Sequence, residues 1–280
     1  MNGRPPEIEP QSNRLVVHRA SAALLPAAVR LGVHPNAVSF AGLLFGLGAA
    51  AAYSQWTDWR LATAGFLLMV GWHIMDGLDG QLARATGTAT DLGRLLDGVA
   101  DYSTFIAVYV VLALTHPDQG LALGAASVAG LAHALQAQFY EGERATYIRR
   151  TNGRFTAVDR PVSGGPAEQL YNRAEALLGN RTRPFDTRLL AAAPAERDRL
   201  LGHWQPRAAR ALRAASLLSA NGRTIAIYLA VLAGEPMAFW LWEIVGLTLV
   251  ALAAARALRQ AEEPGAGGGD HDPTIACTGN

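Results

Sequence analysis

Two short stretches place acidic side chains where acids are costly. The first, Met75-Asp76-Gly77-Leu78-Asp79-Gly80-Gln81-Leu82-Ala83-Arg84, closes a long apolar run. The second, Asp91-Leu92-Gly93-Arg94-Leu95-Leu96-Asp97-Gly98-Val99-Ala100-Asp101, opens the next one. Ionisable groups at membrane depth are expensive and by default mark function. Asp76 and Asp79 are three apart, Asp97 and Asp101 four apart, so each pair shares one face of a helix. A short turn containing Gly87 makes the two helices antiparallel neighbours, and four carboxylates can converge at one end of a bundle. Unpaired, such anions repel one another and take up protons. Hard divalent cations resolve the conflict, and oxygen ligands suit magnesium or manganese. Two ions held close together form a clamp for phosphoryl displacement. Gly80 and Gly93 clear room for a ligand to approach the backbone, and Arg84 offers a planar cation for phosphate. The bland alternative pairs the acids with Arg84 and Arg94 to lock helices. A single Asp would favour that; four at these spacings favour a metal site.

The elements that must position these groups are apolar runs of bilayer length. Half of the 280 residues are hydrophobic, and six spanning segments are expected, at roughly 37–56, 61–83, 93–114, 119–140, 215–233 and 237–257. Gly42, Gly46 and Gly48 would let helix backbones approach closely in lipid. Leu15, Val16, Leu24, Leu25, Ala28 and Leu31 recur at helical spacing among Arg14, Arg19 and Arg30, which predicts an amphipathic surface helix. Residues 141–212 read as a polar insertion with amphipathic helices near 167–178 and 196–213. Residues 1–13 and 258–280 read as disordered tails flanking one membrane domain, 14–257. The fold class is therefore all-α, a polytopic six-helix bundle with a cytoplasmic insertion.

Charge sets the orientation. All 24 basic residues are Arg, which reads as compositional bias. With the N-terminus inside, the outer connections near 57–60, 115–118 and 234–236 contain only Arg60. That positive-inside asymmetry places both termini, the insertion and the acidic site in the cytoplasm; the membrane expected is a prokaryotic inner membrane. The net charge of +1 implies no nucleic-acid partner. The lone Cys277 excludes an intrachain disulfide.

Asp76-x-x-Asp79-Gly80-x-x-Ala83-Arg84, eight residues, Gly93, three residues, Asp97, three residues, Asp101 resembles the complete signature of the CDP-alcohol phosphatidyltransferases. Pro35-Asn36 at the start of the first span matches a Pro-Asn pair common in that family. The resemblance implies a six-helix, usually dimeric, membrane enzyme of phospholipid biosynthesis. Such an enzyme displaces CMP from a CDP-linked lipid or alcohol and joins the remaining phosphoryl group to an alcohol, with membrane lipids as its surroundings. It implies Asp76, Asp79 and Asp97 as principal ligands of two divalent ions, and Asp101 as both ligand and base. It implies Asn36, Gly80, Ala83, Arg84 and Gly93 along the nucleotide. CDP-diacylglycerol with a small polar acceptor is the favoured donor; a CDP-linked head group with a lipid acceptor is the alternative. A membrane prenyltransferase would lack the Gly-x-x-Ala-Arg continuation, and an ion-coupled transporter would release no CMP.

For the acceptor, Arg144, Asn221 and Arg223 are the candidates, with His73, Gln136, Gln138, Glu141 and Thr224 as further polar residues. Arg223 stands just inside the fifth span, where it could meet an anionic acceptor or snorkel to the interface. His133 reads as a packed histidine rather than a ligand.

Overall fold

The computed structural model describes residues 5–10, 13–156 and 181–263, the side chains of 91, 92 and 94–97 apart. Among the described residues every regular element is helical. They are α1 (His18–Arg30), α2 (Pro35–Tyr53), α3 (Trp59–Thr86), α4 (Asp91–Leu114), α5 (Gln119–Thr151), α6 (Pro184–Ala191), α7 (Pro194–Ala214), α8 (Ala220–Leu232) and α9 (Pro236–Glu262). A π turn, Asn13–Val17, leads into α1, and another, Trp242–Leu247, lies within α9.

The connections carry the signals that start and stop these helices. His34 Nδ1 accepts the Asn36 amide at 3.2 Å, with Pro35 opening α2. Asp58 caps α3 through the Arg60 amide at 2.8 Å, and Asp118 caps α5 through the Leu121 amide at 3.0 Å. Between α3 and α4, Gly87 adopts a φ of +68°, a left-handed stop that suits glycine. Thr90 Oγ1 then accepts the Gly93 amide at 3.0 Å and starts α4.

Helices α2, α3, α5 and α9 are each long and apolar enough to cross a bilayer. Helix α7, its short 3-10 extension and α8 make a fifth candidate, bent by 43°. In α4 the apolar stretch is Gly98–Leu114. At 1.5 Å per residue it spans about 25 Å, a little short of a hydrocarbon core of about 30 Å. The acidic opening turns of α4 thus belong at the interface. Phe40, Leu44, Leu67, Ile106, Leu131 and Leu249 are exposed on the outside of the bundle, as lipid-facing residues must be. The interior is packed by Trp72, Phe105, Tyr109, Phe239 and Trp240. α2 lies against α3 and α4, and a Cβ on Gly46 would overlap the Thr104 side chain, so that contact requires glycine.

Two regions differ from the sequence expectation. Helix α5 does not end near 140 but runs 33 residues to Thr151, because its polar end finds partners outside the membrane. There α6, α7 and the end of α9 build a second core around Tyr147, Phe185, Leu189, Trp204, Leu212 and Leu258. Arg150 is 1% exposed and lies over the rings of both Phe185 and Trp204, 5.0 and 5.1 Å from their centroids. It meets Asp186 at 2.7 Å and Glu262 at 2.6 Å, while Arg183 pairs with Glu143. Residues 5–10 are likewise no loose tail: Ile8 is 1% exposed in the same core. The expected helix at 167–178 and the tail beyond 263, including Cys277, lie outside the described residues.

Candidate active site

The last turns of α3 and the first of α4 carry the acidic motif. Asp79 is 5% exposed, and Ser39 of α2 donates its hydroxyl to Asp79 Oδ2 at 2.5 Å. Ser39 was not singled out from sequence. Its signal was available: a polar residue one turn beyond Asn36, on the same face of an otherwise apolar helix. Helix α1 presses on this segment from the other side. Ser21 Oγ donates to the Ile74 carbonyl at 2.8 Å, and a Cβ on Gly77 would come within 2.8 Å of that same oxygen.

Asp76 and Asp101 line one cavity of about 340 Å³. Its α3–α4 side also includes His73, Gly98 and Tyr102. Its opposite side is made by Gln138, Glu141 and Arg144 of α5 and by Ser219, Asn221 and Arg223 at the start of α8. The three acceptor candidates therefore face the same space as two of the four acids, although more than forty residues separate Asp101 from Arg144 in the chain. Arg144 pairs with Glu141 Oε1 at 2.6 Å.

Arg223 does not snorkel. Its side chain is fully buried, with Nε on Glu243 Oε1 at 2.7 Å, Nη2 on Gln136 Oε1 at 2.8 Å and Nη1 on the Leu218 carbonyl. Glu243 also accepts from the Tyr109 hydroxyl at 3.0 Å, and that oxygen lies 3.2 Å from His133 Nδ1. Gln136 donates to the Glu243 carbonyl and to Thr248 Oγ1, both at 3.0 Å. His73 Nε2 meets Thr224 Oγ1 at 3.0 Å. A hydrogen-bonded polar layer thus floors the cavity inside the bundle.

Asn36, Gly80, Ala83, Arg84 and Gly93 are not part of the cavity wall. They lie at the α2–α3–α4 end, where a Cβ on Gly93 would sit 3.8 Å from Asn36 Oδ1 and one on Gly80 3.4 Å from Arg84 Nη1. The side chain of Asp97 lies outside the described residues. Among the described residues no three metal-ligating side chains close on one point. The donors present around the motif are nonetheless carboxylate oxygens, one oriented by a serine hydroxyl, and this is a donor set for a hard divalent cation.

Residues 32–141 match the family CDP-alcohol phosphatidyltransferase, a span that takes in the whole acidic motif, Asn36 and Ser39. The archaetidylinositol phosphate synthase of Pyrococcus horikoshii is 36% identical over 84 residues, 30% of this chain and 43% of that protein. The matched region thus spans less than half of the relative's length.

Proposed function

We propose that the chain displaces CMP from CDP-diacylglycerol and joins the phosphatidyl group to a polar alcohol. The observation that carries this reading is the cavity that unites Asp76 and Asp101 with Arg144 and Asn221. The family match supports head-group transfer from a CDP-linked substrate. The polar α5–α8 wall favours a hydrophilic acceptor over a lipid alcohol. The archaeal relative's name, with inositol phosphate in its product, points the same way. Arg144 and Asn221 would contact the acceptor, while Arg223 would hold the pocket floor and act on the acceptor through it.

In the reaction the acceptor hydroxyl oxygen attacks the phosphorus that bears the diacylglycerol. The bond from that phosphorus to the CMP oxygen breaks, and CMP leaves with the electron pair. Asp101 takes the hydroxyl proton, a role for a positioned carboxylate. Asn36, Gly80, Ala83, Arg84 and Gly93 would bind the nucleotide. Asp76, Asp79, Asp97 and Asp101 would hold two magnesium or manganese ions, which supply charge neutralisation at the pyrophosphate. Ser39 would keep the Asp79 carboxylate oriented toward them. We further propose six crossings with both termini cytoplasmic in a prokaryotic inner membrane, α4 supplying the crossing with the polar start, and a homodimer as the resemblance implies.

The test is direct. Purified protein with magnesium and CDP-diacylglycerol is given a panel of inositol phosphate, glycerol phosphate, serine and a lipid alcohol. CMP release with a new phospholipid from one of the polar acceptors is expected. Turnover confined to a CDP-linked head group and the lipid alcohol would reverse the donor assignment.

A further inference from the structure

The cavity has a wall that the family match, which begins at residue 32, does not include. Pro10 and Asn13 line it beside the polar residues of α5 and α8. Their placement is fixed by contacts on both sides. Upstream, Ile8 is 1% exposed in the cytoplasmic core that includes Tyr147 and Trp204. Glu7 Oε1 accepts from the Tyr147 hydroxyl at 3.2 Å and from Gln205 Nε2 at 3.5 Å. The Glu7 carbonyl accepts from Arg213 Nη1 at 2.8 Å. Downstream, the Pro10 carbonyl accepts the Arg14 amide at 3.1 Å. The His18 ring lies with Nδ1 2.7 Å from Glu9 Oε1, an ion-pair distance, and its Nε2 hydrogen-bonds Asn13 Nδ2 at 3.4 Å.

We propose that Pro10 and Asn13 form a wall of the acceptor subsite, latched in place through Glu7 and Ile8 by the cytoplasmic insertion, and that they help to select a compact polar alcohol. The proposal rests on the transfer reaction proposed above. It also gives the insertion a task. α7 contributes Trp204, Gln205 and Arg213 to the latch, and α5 contributes Tyr147 from its extension beyond the membrane. Among the described residues none of these contacts the acidic motif, so their expected effect on turnover passes through the wall. With the latch open, a competent acceptor pocket is populated only part of the time. Apparent acceptor affinity falls by that fraction, while donor binding at the α2–α3–α4 end does not.

The experiment uses the full-length protein in lipid nanodiscs, with CDP-diacylglycerol as donor and inositol phosphate as the acceptor probe. Ile8→Asp puts a charge into the cytoplasmic core and should open the latch. The expected result is an acceptor KM raised about tenfold, with donor KM unchanged and more CMP released to water when acceptor is scarce. Ile8→Leu should restore the wild-type KM. If Ile8→Asp does not fold, Glu7→Gln and Tyr147→Phe carry the test, each with a smaller rise in acceptor KM alone. A merely structural role would lower thermal stability and leave the ratio of acceptor to donor KM unmoved, and that result overturns the proposal. Wild-type turnover reports on the reaction separately: none with any acceptor removes the reaction and the wall together.

Discussion

Replacing Arg223 by Met tests the polar floor most sharply. The substitution keeps an unbranched side chain of similar length but removes the cation opposite Glu243, which is itself fully buried. Three further consequences follow from the geometry. Among the described residues Glu243 keeps only the Tyr109 hydroxyl as a side-chain donor, and Gln136 Oε1 and the Leu218 carbonyl each lose a charged donor. Removing one partner of a buried pair costs about 3–5 kcal/mol, because the other charge stays behind uncompensated. At roughly 2–4 °C per kcal/mol for a chain of this size, the unfolding midpoint should fall by about 6–20 °C. Intrinsic fluorescence during thermal unfolding in detergent reads this directly. Glu243→Leu alone should be similarly damaging. The double variant Arg223→Met/Glu243→Leu should recover most of the loss, since an apolar replacement of a buried pair is often neutral or stabilising. A single variant within about 1 kcal/mol of wild type, or a double variant worse than either single, would refute the assignment of Arg223 to an ion pair.

The aspartates should divide in their effects. Asp76→Asn and Asp97→Asn should weaken metal and nucleotide binding and abolish turnover, as should a chelator. Asp101→Asn should lower the rate by about a hundred- to ten-thousand-fold with nucleotide binding better preserved; equal binding loss in all three would leave no separable base. Topology is checked by cysteine labelling of intact cells: a probe at Pro117 should react from outside and one at Gly202 on α7 should not. The insertion should respond to acid. Burial alone would raise the Asp186 carboxyl, but Arg150, the Arg183 amide and Arg149 hold it below its ordinary value of 3.8. A depressed folded value means that its stabilisation is complete above pH 3.8 and is lost as pH falls through the folded value. The protection factors of the α6 amides, taken relative to the intrinsic exchange rate at each pH, should therefore fall in acid, and Asp186→Asn should lower them already at neutral pH.

The sequence by itself determined the features that rest on local period and composition. The three- and four-residue spacing of Asp76, Asp79, Asp97 and Asp101 sets their register on two helices before any packing is known. Apolar run length predicted segments that overlap α2, α3, α4, α5, α8 and α9. The placement of Arg144, Asn221 and Arg223 as candidates came from ionisable or polar character at a span edge, and all three line the cavity with Asp76 and Asp101. Tertiary structure alone decided what each then does. Arg144 and Arg223 are the same residue type near the ends of spans, yet Arg144 pairs with Glu141 one turn away and Arg223 with Glu243 on a different helix. No periodicity within α8 points to α9. The same holds for Ile8, an isolated apolar residue in a polar segment, whose burial depends on a core assembled from α5, α7 and α9. Pairings of this kind are chosen by which desolvated groups meet when the helices pack, because a buried charge or a pocket for an isoleucine exists only after its neighbours have arrived.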